Sequence, residues 1–159
     1  AKPEQGAGRV VLAIDAGNSR IKWGCHDGVR WLTQQWITTA RVAEFRAALA
    51  DMPAPQAIVI SNVAGVALRE QIQRALPAAA PAARWSESAR AQCGVRSGYG
   101  DPAQLGGDRW AALIGARRLF GVAAVVVNAG TALTVDALTG DGVFAGGVIV
   151  PGADLMRKA

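Results

Sequence analysis

One pattern occurs twice in this sequence and constrains its fold more than any other feature: an apolar strand, a short polar turn and a returning strand. The first copy spans residues 9–25 and the second spans residues 123–138. In both copies the turn combines glycine with small polar residues, which favour tight backbone turns. An internal repeat of this kind predicts two similar domains that face a shared cleft.

Helices and further strands are predicted between and after the two copies. Apolar spacing indicates helices over residues 40–50, 66–76 and 108–120, and strands over residues 29–37, 57–60 and 143–150. The sequence therefore predicts an α/β protein with an N-terminal extension (1–8), a first domain (9–121) and a second domain (122–159) that is incomplete. Residues 153–159 resemble a helix that has begun without a stop signal, so we expect the natural protein to continue.

The composition excludes several classes of protein. Hydrophobic residues make up 51% of the chain and charged residues 18%, which is typical of a packed globular protein. No apolar run has the length of a membrane span or a signal peptide, so the cytoplasm is the expected compartment. Two cysteines and one histidine are too few for a disulfide framework, a zinc site or a Ser-His-Asp hydrolase.

The net charge of +5 favours an anionic partner, which can be a phosphate-bearing ligand, an acidic protein or nucleic acid. The arginines are scattered along the chain and are not interleaved with aromatic residues, as they are in proteins that bind single strands. We therefore interpret the charge as a solvated surface. A nucleic-acid-binding module stays as an alternative, and its affinity would fall steeply with added salt.

The two polar turns are candidate phosphate-binding loops. A glycine turn at the end of an apolar strand exposes several backbone N–H groups together, and such a nest binds phosphate oxygens. Asp15 ends the first strand, where a carboxylate can hold Mg²⁺ directly or through water, and Lys22 can bring positive charge to a transferred phosphoryl group. The alternative is an ordinary hairpin turn in which Asp15 and Asn18 cap backbone groups. The repetition of the turn favours phosphate binding.

A third candidate is the segment 105–110, which reads Leu-Gly-Gly-Asp-Arg-Trp. Two glycines before a helix leave room for a ligand against the first amides of that helix. Asp108 can accept a proton and Arg109 can pair with an anionic group. The alternative is a helix-capping aspartate beside a surface arginine.

Together these elements resemble those of the type III pantothenate kinases, a family that also contains the Bvg accessory factor proteins. The family lies within the superfamily of actin-like sugar kinases and Hsp70 ATPases, so the resemblance implies the actin-like ATPase (ribonuclease H-like) fold with ligands between two similar domains. The resemblance is carried by residues 15–22, by Gly98, Tyr99, Pro102 and residues 105–110, by Gly130, Thr131, Ala132, Thr134 and Asp136, and by residues 146–152.

The resemblance implies an ATP-dependent kinase that converts pantothenate to 4'-phosphopantothenate, the first step of coenzyme A biosynthesis. It implies Mg²⁺ with ATP, a cytoplasmic location and a homodimer. Asp108 would be the general base that takes the proton of the primary hydroxyl. Pantothenate would contact Tyr99, Gly106, Gly107, Asp108 and Arg109. ATP would contact Asp15, Ala16, Gly17, Asn18, Ser19, Arg20, Ile21, Lys22 and Thr131.

One position departs from the family pattern. Many family members carry an aspartate where this chain has Asn128, and that carboxylate contributes to a site for K⁺ or NH₄⁺. An amide oxygen can still coordinate a cation, but without the negative charge we expect weaker binding.

Two alternatives share these motifs. A regulatory protein of the accessory-factor type would keep the fold and act on gene expression. Another member of the superfamily, such as an N-acetylsugar kinase or a phosphatase acting on polyphosphate, would take a different substrate.

Overall fold

The computed structural model describes residues 9–157. The predicted N-terminal extension and the last two residues of the predicted C-terminal helix lie outside this range. The chain divides into two compact units, Ala1–Trp85 and Ser86–Ala159, and each is described by itself.

The first unit is built on a five-stranded mixed sheet with the strand order β3-β2-β1-β4-β5. The central strand β1 is antiparallel to β2 and parallel to β4. Its side chains alternate, so that Leu12, Ile14 and Ala16 are buried in the core while the intervening residues lie on the other face. The strands are β1 (Val11–Ala16), β2 (Arg20–His26), β3 (Trp31–Thr38), β4 (Ala57–Asn62) and β5 (Ala83–Trp85).

Two helices pack on the core face of this sheet. Helix α2 (Val66–Ala75) confirms the predicted helix and buries Leu68 and Ile72. The predicted helix over residues 40–50 is wrong in its type, because the chain forms a 3-10 helix over Thr39–Glu44 and then one α-helical turn, α1 (Phe45–Ala48).

The physical reason lies at the start of that segment. Thr38 makes no side-chain capping bond to the helix, and Arg41 leaves the helical region at φ −99° and ψ 21°. The predicted apolar face nevertheless packs correctly, since Phe45 and Leu49 are buried in the core.

The second unit has a five-stranded sheet in the order β6-β7-β10-β9-β8. Its C-terminal strands form an antiparallel meander that repeats the β1-β2-β3 meander of the first unit, as the sequence repeat predicts. A 3-10 turn (Pro102–Gln104) precedes the long helix of this unit. The elements are β6 (Ala91–Gln92), β7 (Val95–Ser97), α3 (Gly107–Phe120), β8 (Ala124–Ala129), β9 (Ala132–Leu138), β10 (Val143–Pro151) and α4 (Ala153–Met156).

The compact units divide at residue 85, whereas the repeat in the sequence restarts at residue 122. The difference arises because α3 packs against β7, β8 and β9 and therefore belongs to the second unit. The boundary at residue 122 marks the start of the second copy of the repeat and stays a prediction. None of the helices formed by residues 9–157 is long and apolar enough to cross a membrane.

Candidate active site

The first candidate phosphate loop joins β1 to β2. Asp15 is next to the last residue of β1 and lies opposite Lys22 in the antiparallel pair. The ammonium of Lys22 lies 3.2 Å from Oδ2 of Asp15, and both side chains are about half exposed, at 59% and 45%. The turn itself is closed by a hydrogen bond of 3.0 Å from the Gly17 amide to the Arg20 carbonyl. A carboxylate and an ammonium thus stand side by side at the mouth of the turn.

Thr39 holds this turn from outside, and sequence reasoning missed it. Its hydroxyl donates to the Gly17 carbonyl at 2.8 Å, and its amide donates to the Ser19 carbonyl at 3.0 Å. These bonds fix both ends of the turn against the start of the 3-10 helix. The contact spans more than twenty residues, so local sequence patterns carry no signal for it.

Ser61 is the second residue that sequence reasoning missed. It lies on β4 directly beside Asp15 in the parallel pair, near the end of both strands. Its side-chain oxygen is buried, and no hydrogen-bond partner for it exists among the described residues. Buried hydroxyls normally have a hydrogen-bond partner, so the unsatisfied hydroxyl of Ser61 next to the candidate carboxylate is unusual.

The second candidate loop joins β8 to β9 and is one residue shorter than the first. The Gly130 amide donates to the Ala132 carbonyl at 3.0 Å, and the Thr131 carbonyl accepts from the Gly152 amide at 2.9 Å. Asn128 precedes the turn, and its amide nitrogen donates to the Thr134 hydroxyl at 3.3 Å. The loop therefore presents Thr131 at an exposed tip that is anchored to the start of α4.

The third candidate segment forms the N-terminus of α3. Gly106 is the residue before the helix, and Asp108 is the acidic residue of its first turn. Asp108 is half-buried, and its Oδ1 accepts a hydrogen bond of 2.7 Å from the Arg109 amide. A carboxylate in this position is also favoured by the positive end of the helix dipole.

Ser86 and Ser88 hold this helix start in place, and sequence reasoning did not find them. Ser86 donates to the Gly107 carbonyl at 3.0 Å, while Ser88 donates to the carbonyls of Pro102 and Leu105 at 2.6 and 2.8 Å. Position 107 requires glycine, because a Cβ there would collide with the Ser86 backbone.

Arg109 is not the surface arginine of the alternative interpretation. It is 5% exposed, and its Nε lies 3.1 Å from each carboxylate oxygen of Asp136, with a further bond from Nη2 to Oδ1. The bonds to Asp136 raise the pKa of the guanidinium, burial opposes that rise, and the nearby Tyr99 adds to it. Asp136, on β9, is fully buried.

Tyr99 completes this cluster. Its ring meets Phe144 edge-on, with centroids 4.9 Å apart, and the Arg109 guanidinium lies 5.9 Å from the same Phe144 ring. The structure thus brings together the five predicted acceptor-site positions: Tyr99, Gly106, Gly107, Asp108 and Arg109. The first phosphate loop belongs to the other compact unit.

Comparison of the sequence with known proteins identifies its family. A family profile described as type III pantothenate kinase matches residues 11–159. The type III pantothenate kinase of Aromatoleum aromaticum is 48% identical over 150 residues, which are 94% of this chain and 62% of that protein. The corresponding protein of Dechloromonas aromatica is 45% identical over 150 residues, or 94% of this chain and 63% of that protein. The chain thus spans somewhat less than two thirds of the length of these relatives.

A solved structure from Sinorhizobium meliloti, assigned provisionally as a 2-dehydro-3-deoxygalactonokinase, has a similar fold. The TM-score is 0.56 at 16% sequence identity, and the match covers 93% of this chain and 55% of that one. This likeness shows the actin-like α/β fold, in agreement with the fold class predicted from the repeat and the resemblance. With the family profile matching nearly the whole chain, the protein belongs to the type III pantothenate kinase family.

Proposed function

We propose that the protein transfers the γ-phosphoryl group of ATP to the primary hydroxyl of pantothenate. Family membership supports this activity, and the observation that carries it is the first turn of α3. There a half-buried carboxylate, Asp108, lies beside a buried guanidinium, Arg109, with Tyr99 close to that guanidinium. A general base next to a group that can bind a carboxylate is what an acceptor with both a hydroxyl and a carboxylate needs.

In this proposal Asp108 takes the hydroxyl proton while the hydroxyl oxygen attacks the γ-phosphorus. The bond from that phosphorus to the bridging oxygen breaks, and ADP leaves with the bonding electrons. Phosphoryl transfer of this kind depends mainly on positioning and on charge stabilisation. The rigid start of α3, tied by Ser86 and Ser88, suits that requirement.

The loops from Asp15 to Lys22 and around Thr131 would bind the phosphates of ATP through backbone amides. Asp15 fits the role of a Mg²⁺ ligand, because this ion keeps several waters and needs only one or two carboxylates besides the phosphates. Bound there, Mg²⁺ would neutralise phosphate charge. Lys22 would then turn from Asp15 toward the phosphates, since its ammonium already lies at the mouth of the turn.

The proposal includes a site for a monovalent cation at Asn128. Among the described residues no three histidine, cysteine or acidic side chains form a cluster that could hold a metal ion. Asn128 could offer its carbonyl oxygen to K⁺ or NH₄⁺, since its nitrogen is the atom that bonds to Thr134. We expect at most a modest stimulation of turnover by K⁺.

The proposal also includes assembly of the protein as a homodimer in the cytoplasm. Its support is the family resemblance, and light scattering on the purified native protein would test the dimer.

The test of the proposed function is an ADP-release assay on the native full-length protein with pantothenate, Mg²⁺ and ATP, with and without K⁺. We expect pantothenate-dependent turnover, and a loss of about 100-fold or more in kcat for Asp108→Asn with the fold unchanged. Asp141→Asn is the matched control, because Asp141 is an exposed carboxylate of the same unit that pairs with Arg96.

Near-normal turnover in Asp108→Asn would show that Asp108 is not the general base. No turnover in the wild type, with any cation, would favour a regulatory protein on the same fold.

A further inference from the structure

The pair formed by Arg109 and Asp136 is the most buried charged contact among the described ion pairs. Its side chains are 6% and 0% exposed, while the side chains of every other such pair are at least 24% exposed. Two charges removed from water are tolerated only when they satisfy each other with good geometry. Here the guanidinium uses Nε and Nη2 on one carboxylate, a forked arrangement that fixes the plane of the group.

Two residues of β10 lie close to the pair. Gly147 lies directly opposite Asp136 in the β9–β10 pair, and a Cβ at that position would collide with Oδ1 of Asp136 and lie 2.6 Å from Nη2 of Arg109. The Phe144 ring, also on β10, lies close to the guanidinium on another side. The glycine thus makes room for the ion pair, and the aromatic ring packs near it.

Asp136 cannot itself act on a substrate, because it is fully buried on β9. What it does is tie the first turn of α3 to the sheet through Arg109. That turn carries Asp108, whose Oδ1 accepts the Arg109 amide at 2.7 Å. A displacement of about 1 Å at a catalytic group can cost about 100-fold in rate, so a tether at the neighbouring residue matters for the chemistry.

We propose that Asp136 is a positioning residue of the acceptor site: its buried pair with Arg109 fixes the first turn of α3 and thereby the placement of Asp108 and of the guanidinium face that Asp136 does not use. This inference rests on the proposed function and assigns Asp136 a role in it. The residue acts through Arg109 and Asp108, and it leaves the two phosphate loops to bind ATP without it.

The experiment compares Asp136→Asn with Leu138→Ala in the native full-length protein. Leu138 lies two residues further along β9 and is equally buried, at 3% exposed, so its truncation weakens the same core without touching the ion pair. For each variant we would measure the melting temperature, kcat, and the KM values for pantothenate and for ATP, at a temperature where both variants are folded.

We expect Asp136→Asn to lower kcat/KM for pantothenate by about 100-fold, with KM for ATP changed by less than about 3-fold. Leu138→Ala should lower the melting temperature and leave both KM values near wild type. Equal kinetic profiles for the two variants, or wild-type kinetics in Asp136→Asn, would overturn the proposal. The proposed function fails separately, through a wild-type protein that shows no pantothenate-dependent turnover.

If Asp136→Asn does not fold, Gly147→Ala replaces it, since the added methyl would clash with both members of the pair, and with the Val135 carbonyl oxygen, and removes neither charge. We expect the same selective loss for pantothenate. A folded Gly147→Ala protein with normal pantothenate kinetics would also overturn the proposal.

Discussion

Two small hydroxyls beside the first candidate phosphate loop have opposite surroundings. The Thr39 hydroxyl donates to the Gly17 carbonyl at 2.8 Å and so secures the turn. The Ser61 hydroxyl is buried beside Asp15 with no partner among residues 9–157. An intramolecular hydrogen bond makes a net contribution to the stability of a protein, whereas a buried polar group without a partner lowers that stability. Deletion of the hydroxyl should therefore destabilise the protein at Thr39 and not at Ser61.

We predict that Thr39→Val lowers the free energy of unfolding by about 1 kcal/mol, and that Ser61→Ala leaves it unchanged or raises it by up to about 1 kcal/mol. Urea unfolding of the two variants and the wild type, under the same conditions, gives both values. A loss of stability in Ser61→Ala as large as that in Thr39→Val would contradict the prediction, because it would mean that the Ser61 hydroxyl has a partner.

At the level of the element, the hairpin of β2 and β3 depends on a close approach at Gly24. A Cβ at this position would lie 2.5 Å from the Thr33 carbonyl oxygen and 3.0 Å from the Trp31 ring. The Trp31 ring meets His26 edge-on, with centroids 5.0 Å apart. The glycine thus leaves room for an aromatic ring of the edge strand to approach β2 closely.

We predict that Gly24→Ala destabilises the protein by about 1–3 kcal/mol, because the added methyl forces the strand and the ring apart. Gly115→Ala is the matched control. That glycine is inside α3 with nothing within 4 Å of its Cβ position, so alanine should stabilise the helix by about 1 kcal/mol. Calorimetric melting of the two variants checks the signs, and a stabilised Gly24→Ala protein would show that β3 is free to move away.

How well each element could be predicted depends on where its causes lie. The apolar run that becomes β1 and the helical spacing of residues 66–76 are local, so the sequence predicts both elements correctly. The choice between an α-helix and a 3-10 helix after Thr38 depends on one backbone departure at Arg41, which apolar spacing does not report.

The candidate site follows the same rule. Asp15, Asp108 and Arg109 lie in short motifs, so the sequence alone suggests them as candidates. The partner of Arg109 is 27 residues away on another strand, and nothing in the spacing of charges indicates that Asp136 is that partner. Tertiary pairing of this kind is decided by strand order and register, which the sequence pattern alone leaves open.

On the scale of the whole molecule, the two units differ in how completely their repeated strands are covered. In the first unit β1 lies between β2 and β4, and its sheet encloses a core of fourteen buried residues. In the second unit the equivalent strand β8 pairs only with β9 within the described range, and the core cluster has six buried residues. Val125 and Val127, which lie on one face of β8, are exposed.

The repeat predicts what covers this edge. Since β1 pairs with a parallel strand that follows it in sequence, we expect β8 to receive a parallel strand from sequence beyond residue 159 in a protein as long as its relatives.

Hydrogen exchange measured by mass spectrometry, on the 159-residue chain and on the longer protein, tests whether β8 gains this strand. The amides of residues 124–129 that point away from β9 should exchange at least about 10-fold more slowly in the longer protein, because a paired strand must open before its amides exchange. The amides of β1 are the control, since that strand is paired on both sides already. Equal exchange at β8 in the two proteins would mean that the second sheet ends at β8 and that the repeat stops after three strands.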